Sequence, residues 1–431
     1  MLTNSVFARH ELEIHSEQSA ILKRWDSAYP SVQSKKASGL ASIVDKLAAQ
    51  GARSFHSLKS SRWHWDENAK KLFILIKEKD GVFRLVRIDC LVGAGGYGTV
   101  YKVKSMFDQE DLALKVSVSR EGYLENNALK EELRIYEQLY PQQPMGAHHT
   151  GIQMNCLQIL LSLPKFLWQA NFRHIQLFPH LPGTTKRRKC FGIVMPFYPF
   201  GVIEDKFKLT QFPTGTSELL LRKQIEGIYQ ILLGQARFES HNMAHLDISI
   251  RNCFLATSDT AEHLQIDLCD LGGVVDFSGE IRRFIIRRIY TYKDEFEKIE
   301  EYQKDGKRRL LIPYIIKNAT FQSALAIYWF LSKGSTLPYH LFPMNEWSTG
   351  DPKTLRSFSK DHDWLHKMFD PDMKKRPSPK QALLNFHEYI SLAYGKTSPG
   401  YQKYNDEVQK LTSQNDLDKL TGLLSEKKAD L

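Results

Sequence analysis

The order of apolar and polar positions divides the chain into a β-rich stretch with helical stretches on either side. Residues 1 to about 62 read as helical: Leu12, Ile14, Ile21, Leu22 and Trp25 fall at roughly helical spacing, and a second segment runs from about Leu40 to Leu47. Ser31 to Ser38 between them reads as a loop. From Lys71 the period shortens, and KLFILI, a turn at Lys79-Asp80-Gly81 and VFRLVRI predict a β-hairpin. Ala128 to Tyr140 predicts a helix of good formers with Leu129, Leu133, Tyr136 and Tyr140 on one face. Pro141 to Lys189 is irregular, with Lys186-Arg187-Arg188-Lys189 read as a basic hairpin loop, and CFGIVMPFY then reads as a buried strand. Beyond about Glu218 helical periodicity dominates, broken by strand-like pieces near Cys253 to Leu255 and Leu264 to Leu268. Tyr401 to Leu431 is charged, amphipathic and read as helical. Strands first and helices second is an α+β order in two lobes, which sets a ligand cleft between them.

Composition narrows the class without naming a function. Hydrophobic residues at 42% and charged residues at 25% of 431 are ordinary globular usage, which excludes collagen-like, disordered and disulfide-scaffold chains. Lys plus Arg exceeds Asp plus Glu by 59 − 49 = 10. That surplus fits a solvated basic surface or an anionic partner: nucleic acid, an acidic membrane surface or a phosphate-bearing ligand. Cys90, Cys156, Cys190, Cys253 and Cys269 are odd in number and contain no C-x-x-C pair, against a disulfide framework or zinc knuckle and in favour of a reducing compartment. MLTNSVFARHELEIH has no long apolar core, and Pro164 and Lys165 cut the apolar run Cys156 to Trp168. Neither a signal peptide nor a membrane span is expected.

Val92 to Val100 contains G-x-G-x-x-G-x-V at Gly93, Gly95, Gly98 and Val100. Glycines let a backbone bend over a polyphosphate and present N–H donors to it. The same spacing opens dinucleotide-binding domains, but there the turn enters a helix, whereas Tyr101 to Lys104 continues with strand-like alternation. Leu112-Ala113-Leu114-Lys115-Val116 follows, and a lysine in an apolar strand requires an anion. Nucleotide phosphate and a helix glutamate are the natural partners; Glu132 is preferred to Glu131 and Glu137. Further on, His245-Leu246-Asp247 is followed five residues after the aspartate by Asn252, and Asp270-Leu271-Gly272 supplies another carboxylate after a β-like run. One carboxylate set against a hydroxyl, with a carboxamide and a second carboxylate on Mg²⁺, is an arrangement suited to phosphoryl transfer.

The ordered set of Gly-rich loop, A-L-K-V, helix glutamate, H-x-D-x-x-x-x-N and D-x-G resembles the eukaryotic-type protein kinase signature. Phe191 to Tyr198 resembles that family's strand and hinge, Ala324 to Gly334 with Leu337-Pro338-Tyr339 its central C-lobe helix, and Met368 to Ser378, with Asp370-Pro371 and Arg376-Pro377-Ser378, its late D-P…R-P-S element. The resemblance covers about residues 71–392 and implies a bilobal protein-kinase-like fold. Its β-rich N-lobe would span about 71–198 and its helical C-lobe about 199–392, with helical extensions at 1–62 and 400–431. It also implies ATP and Mg²⁺ (or Mn²⁺) as cofactors and Ser/Thr hydroxyls of a protein as acceptors. Lys115 would hold the α and β phosphates with Glu132 orienting it, and Gly93, Gly95, Tyr97 and Gly98 would cover the phosphates. Val100, Ala113, Met195 and Phe197 would wall the adenine pocket, Asn252 and Asp270 would hold the metal, and Asp247 would accept the hydroxyl proton.

Departures from the pattern are specific. Leu246 stands where the family has an arginine that meets an activation-loop phosphate, so control by such a phosphate is not expected. Ser249 replaces a frequent lysine, and Arg251 is the nearby cation that would substitute for it. No A-P-E triplet follows Asp270; Asp294-Glu295 is the nearest acidic pair. The aspartate expected at the start of the central C-lobe helix is missing, with Thr320 and Gln322 nearby. Arg282, Arg283, Arg287 and Arg288 form a cluster suited to an acidic or phosphorylated partner, and no nucleic-acid reader motif accompanies it. A pseudokinase scaffold and a small-molecule phosphotransferase are the competing functions. The cytosol is the expected compartment, and a divergent core with unmatched flanks also resembles kinases that intracellular bacteria deliver into host cells.

Overall fold

The computed structural model describes residues 62–66, 71–77, 83–95, 98–106, 109–116, 124–139, 157–164, 187–204, 217–258, 261–278, 291, 293–331 and 362–412. The helical expectation for residues 1–61, the turn at Lys79 to Gly81, the arginines at 282–288 and residues 413–431 lie outside them. The architecture is α+β, an antiparallel sheet followed by a largely helical region. The described residues fall into two compact units, 62–136 with 157–197 and 137–139 with 198–412.

In the first unit β1 (Arg62–Asp66), β2 (Lys71–Lys77), β3 (Phe83–Gly95), β4 (Gly98–Ser105) and β5 (Asp111–Val116) precede helix α1 (Leu124–Leu139), and β6 (Leu157–Pro164) and β7 (Arg187–Pro196) follow it. The sheet order is β1-β2-β3-β4-β5-β7-β6, every pair antiparallel. The edge strands β1 and β6 approach one another, so the sheet curls. β2 and β3 form the expected hairpin. Along β4, Tyr101 and Val103 are buried while Lys102 and Lys104 are half-exposed, the two-residue period of a strand with one covered face. β5 lies between β4 and β7, and Leu112 to Val116 are all buried. α1 buries Leu129, Leu133 and Tyr136 as its spacing predicts, with Glu132 beside them.

Three expectations are corrected. Arg62 opens a strand rather than closing a helix, because Arg62 to Asp66 pairs with Lys71 to Leu75 and extends the sheet before residue 71. The stretch from Pro141 contains a strand, β6, whose consecutive Ile159, Leu160 and Leu161 blur the two-residue period. Arg187, Arg188 and Lys189 lie in β7 opposite Pro164, Leu163 and Ser162, so these basic residues belong to a strand and not to a loop.

The second unit opens with α2 (Ser217–Ser240), stopped where Asn242 adopts a left-handed φ of 57°. β8 (Met243–His245), β9 (Cys253–Leu255), β10 (Ile266–Leu268), a short 3₁₀ turn (Leu271–Gly273) and β11 (Val274–Asp276) follow, with β9 paired to β10 and β8 to β11. Helices α3 (Lys293–Lys304), α4 (Arg308–Leu331), α5 (Asp363–Met368), α6 (Pro379–Tyr394) and α7 (Pro399–Thr412) complete it. α4 carries apolar residues around its circumference because the unit packs around it; Ala324 to Phe330 are all buried. By length and composition Leu310–Leu331 would cross a membrane, yet 72% of its apolar window is buried inside the unit. Ser378 caps α6 by accepting Gln381 N–H, with Pro379 at its first turn. α7, outside the stretch that resembles a kinase, is part of the core: Tyr404 and Val408 are buried, and Tyr404 stacks on Tyr229 at 4.5 Å.

Arg376 joins distant parts of this unit. Its guanidinium, fully buried, meets Glu295 of α3 through two bonds of 3.2 and 3.1 Å and donates to Lys317 O and Asp370 O. It also lies 5.1 Å from the Phe321 ring. Removing one side of a buried ion pair strands the other charge. Arg376→Leu is expected to lower unfolding free energy by about 3 kcal/mol, read by denaturant titration; a change within about 0.5 kcal/mol, the level of an ordinary surface substitution, contradicts this role.

Candidate functional site

The candidate residues form one group in each unit. In the first, the glycine segment is a hairpin: Gly93 faces Val100, Ala94 faces Thr99 and Gly95 faces Gly98. It continues into a strand and not a helix, as the alternation after Val100 predicts. Tyr97 is outside the described residues. Gly98 is demanded by a close approach, since a Cβ there would meet Val116 O at 2.6 Å, whereas one at Gly93 would meet nothing within 4 Å.

Lys115 sits on β5 between Val100 of β4 and Ile193 of β7. Its Nζ donates to Glu132 Oε2 at 2.8 Å, with the two side chains 8% and 1% exposed. The neighbouring glutamates are placed elsewhere: Glu131 pairs with Arg134 at 2.7 Å and Glu137 is exposed. Ala113 is buried opposite Met195, itself half-buried. Phe197 is half-buried with Lys102 Nζ 4.8 Å from its ring centre. That ammonium also pairs with Asp111 at 2.6 Å, whose hydrogen bond holds the Lys102 pKa above its ordinary value.

In the second unit, main-chain bonds bring Asp247, Asn252 and Asp270 together. Asn252 Nδ2 donates to Asp247 O at 2.7 Å, closing the loop between them and leaving Oδ1 as the side chain's oxygen donor. Cys269 N–H donates to Asn252 O at 2.9 Å, which carries the β9–β10 ladder one step further to the residue before Asp270. His245, fully buried, spans both loops. Asp247 N–H donates to its Nδ1 at 3.2 Å, so Nδ1 accepts, and Nε2 therefore carries the proton given to Cys269 O at 3.2 Å. Asp270 has φ 63° and ψ 61°, a left-handed conformation that a non-glycine residue adopts only where its surroundings impose it. Gly273 backs onto the aspartate: a Cβ there would meet Asp247 Cβ at 2.8 Å.

The places where the sequence departs from the kinase pattern acquire physical content. Leu246, where an arginine was expected, is buried in a cluster with Val275, Phe277, Phe296, Ile299 and Ile315. Gln322 Oε1 accepts Ile248 N–H at 3.1 Å and its Nε2 donates to Asn318, so a carboxamide braces the loop where an aspartate was sought. Glu295, from the acidic pair nearest the missing A-P-E, is the partner of Arg376. Arg251, read as the cation in place of the lysine that Ser249 replaces, bonds Glu204 at 2.8 and 3.2 Å. Glu204 and Gly273 carried no motif signal, because each acts through a contact distant in sequence. Among the described residues no group of three or more His, Cys, Asp or Glu is gathered as for a metal ion, and Cys90, Cys253 and Cys269 form no disulfide.

No protein-family model matches this chain, and no curated protein matches it.

Asp267, three residues before Asp270, is fully buried beside Tyr198 and Gln265. Burial pushes its carboxyl up to about 7, against the opposing pull of those neighbours. In an unfolded chain the same group ionises near ~4. At lower pH both states hold the proton and nothing is lost; between about 4 and 7 the unfolded chain ionises first and stability falls; above 7 the loss is constant. The melting-temperature gain of Asp267→Asn should therefore grow from pH 4 to pH 7 and then level off. A gain independent of pH would contradict this origin.

Proposed function

We propose that the chain is an ATP- and Mg²⁺-dependent protein kinase, transferring the γ-phosphate to Ser/Thr hydroxyls on a kinase-like fold. The observation that carries the reading is the buried Lys115 to Glu132 pair on the strand next to the glycine hairpin. An ammonium held by one carboxylate, beside a backbone that tolerates close approach, fits a polyphosphate. The metal part fits the oxygen donors available: Asn252 Oδ1 and the Asp270 carboxylate are the few hard ligands Mg²⁺ takes from a protein when phosphate oxygens and water complete its shell. Bound there, Mg²⁺ would neutralise phosphate charge.

The protein's own residues then have distinct tasks. Lys115, oriented by Glu132, draws on α and β phosphate oxygens. Asp247, 6% exposed and held by the His245 imidazole at its backbone N–H, accepts the proton of the attacking hydroxyl. Asn252 fixes the loop's span while offering its oxygen to the metal. Leu246 in its apolar cluster supports a loop assembled by packing, without an arginine for an activation-loop phosphate.

Purified protein incubated with γ-labelled ATP and a cell lysate should yield labelled protein, with modified residues identified by mass spectrometry. Lys115→Ala, Asp247→Ala and Asp270→Ala should each lower transfer by about 100-fold or more; because Lys115→Ala also leaves Glu132 without its partner, its melting curve is read beside its activity. Full activity in Asp270→Ala overturns the reading. Label appearing on a small molecule instead would establish the small-molecule phosphotransferase, and no product together with no nucleotide-dependent thermal shift would establish the scaffold. Gly273→Ala should lower kcat by about 10-fold with KM for ATP little changed, since it displaces Asp247 alone; equal kcat would reject that constraint.

A further inference from the structure

The strand leading to Asp270 is held from behind by side chains that the proposed chemistry does not use. Gln230 of α2, fully buried, donates through Nε2 to Leu264 O at 2.7 Å and to the Tyr404 hydroxyl at 3.2 Å, and its Oε1 accepts Ile266 N–H. One turn earlier, Glu226 Oε2 accepts Leu264 N–H at 2.8 Å, while its Oε1 receives His263 Nδ1 and Lys403 Nζ, each at 2.8 Å. Two side chains one turn apart on a helix thus do the work of a neighbouring strand. They take up the N–H and C=O of Leu264 and the N–H of Ile266.

The clamp fixes register. β10 begins at Ile266 and Asp270 comes four residues later, after Cys269 N–H has met Asn252 O. A slip of one residue along a strand moves every later group by about 3.3 Å and turns its side chain to the other face. α7 closes the clamp. Tyr404 is stacked on Tyr229 and accepts from Gln230, Lys403 pairs with Glu226, and Glu407 pairs with Arg237 of α2. Tyr229 is in turn fixed by its hydroxyl's 2.8 Å bond with His387 Nδ1 on α6.

We infer that Gln230 is a positioning residue for the Asp270 carboxylate, and that α7, through Tyr404, is part of the same device. The inference rests on the assignment of Asp270 to Mg²⁺. Its test uses the full chain, with ADP as the probe, titrated by calorimetry without Mg²⁺ and at increasing Mg²⁺. Gln230→Leu keeps side-chain bulk and removes the bonds of the Gln230 carboxamide to Leu264 O, Ile266 N–H and Tyr404; Tyr404→Phe removes one hydroxyl and retains the stack. The Mg²⁺ concentration for half-maximal tightening of ADP binding should rise about 10-fold in Gln230→Leu and about 3-fold in Tyr404→Phe, as for partners behind a metal ligand. Binding of ADP without Mg²⁺ should be unchanged in both. Lower melting temperatures with an unmoved Mg²⁺ dependence would show a structural role only and overturn the inference. If Gln230→Leu does not fold, Tyr404→Phe alone decides by the same readout. Wild-type protein that binds ADP with no Mg²⁺ dependence overturns the metal assignment itself, and the inference falls with it.

Discussion

A buried ammonium must have a partner, and the first unit is arranged around that constraint. Lys115 lies on a strand with sheet neighbours on both sides and apolar residues before and after it. Without Glu132 the charge would be stranded in low dielectric at a cost of several kcal/mol, on the order of the unit's whole stability. α1 delivers that glutamate by its own periodicity: the turn that buries Leu129, Leu133 and Tyr136 also points Glu132 inward. The pair is therefore a product of helix phase and strand burial together. Gly98 beside it shows the same economy of space, since the Val116 carbonyl leaves no room for a side chain.

The second unit solves a different problem, holding three polar side chains on short irregular segments where no long strand stabilises them. Its solution is cross-bonding between loops. The His245 imidazole joins the Asp247 backbone to Cys269, Asn252 bonds both Asp247 and Cys269, and Gln322 takes the Ile248 N–H. Behind these, apolar packing of Leu246 and the Glu226 and Gln230 clamp set where the segments begin. Such buried networks are rigid when every member is satisfied, because each lost bond leaves a desolvated group. Strain at Asp270, with its left-handed backbone, is tolerated because the segments on both sides are fixed.

Much of this was legible along the chain. The hairpin of β2 and β3, the strand after the glycines, the helix carrying Glu132 and the choice of Glu132 over its neighbours all follow from local period and the cost of burying charge. What local pattern missed has one common cause, dependence on contacts far apart in sequence. Glu295 looked like a poor match for a missing triplet, yet it meets Arg376, 81 residues on. Gln322 appeared only as a substitute near an absent aspartate, and its role needs Ile248, 74 residues away. The Arg251 bond to Glu204, 47 residues earlier, likewise has no local signal. β6 escaped because Ile159, Leu160 and Leu161 follow one another without a polar residue between them, which blurs the alternation of a strand. α7 read as a tail, and only its packing on Tyr229 shows it to be core.

The proposed function turns on two assignments, Lys115 to nucleotide phosphate and the Asn252 and Asp270 pair to Mg²⁺. The most direct measurement is a crystal structure of the full chain with Mg²⁺ and a non-hydrolysable ATP analogue. The account predicts Lys115 Nζ within hydrogen-bond distance of α- and β-phosphate oxygens, its bond to Glu132 retained, and the metal bound by Asn252 Oδ1 and the Asp270 carboxylate. A nucleotide seated away from Lys115, or a metal bound without Asp270, would contradict it.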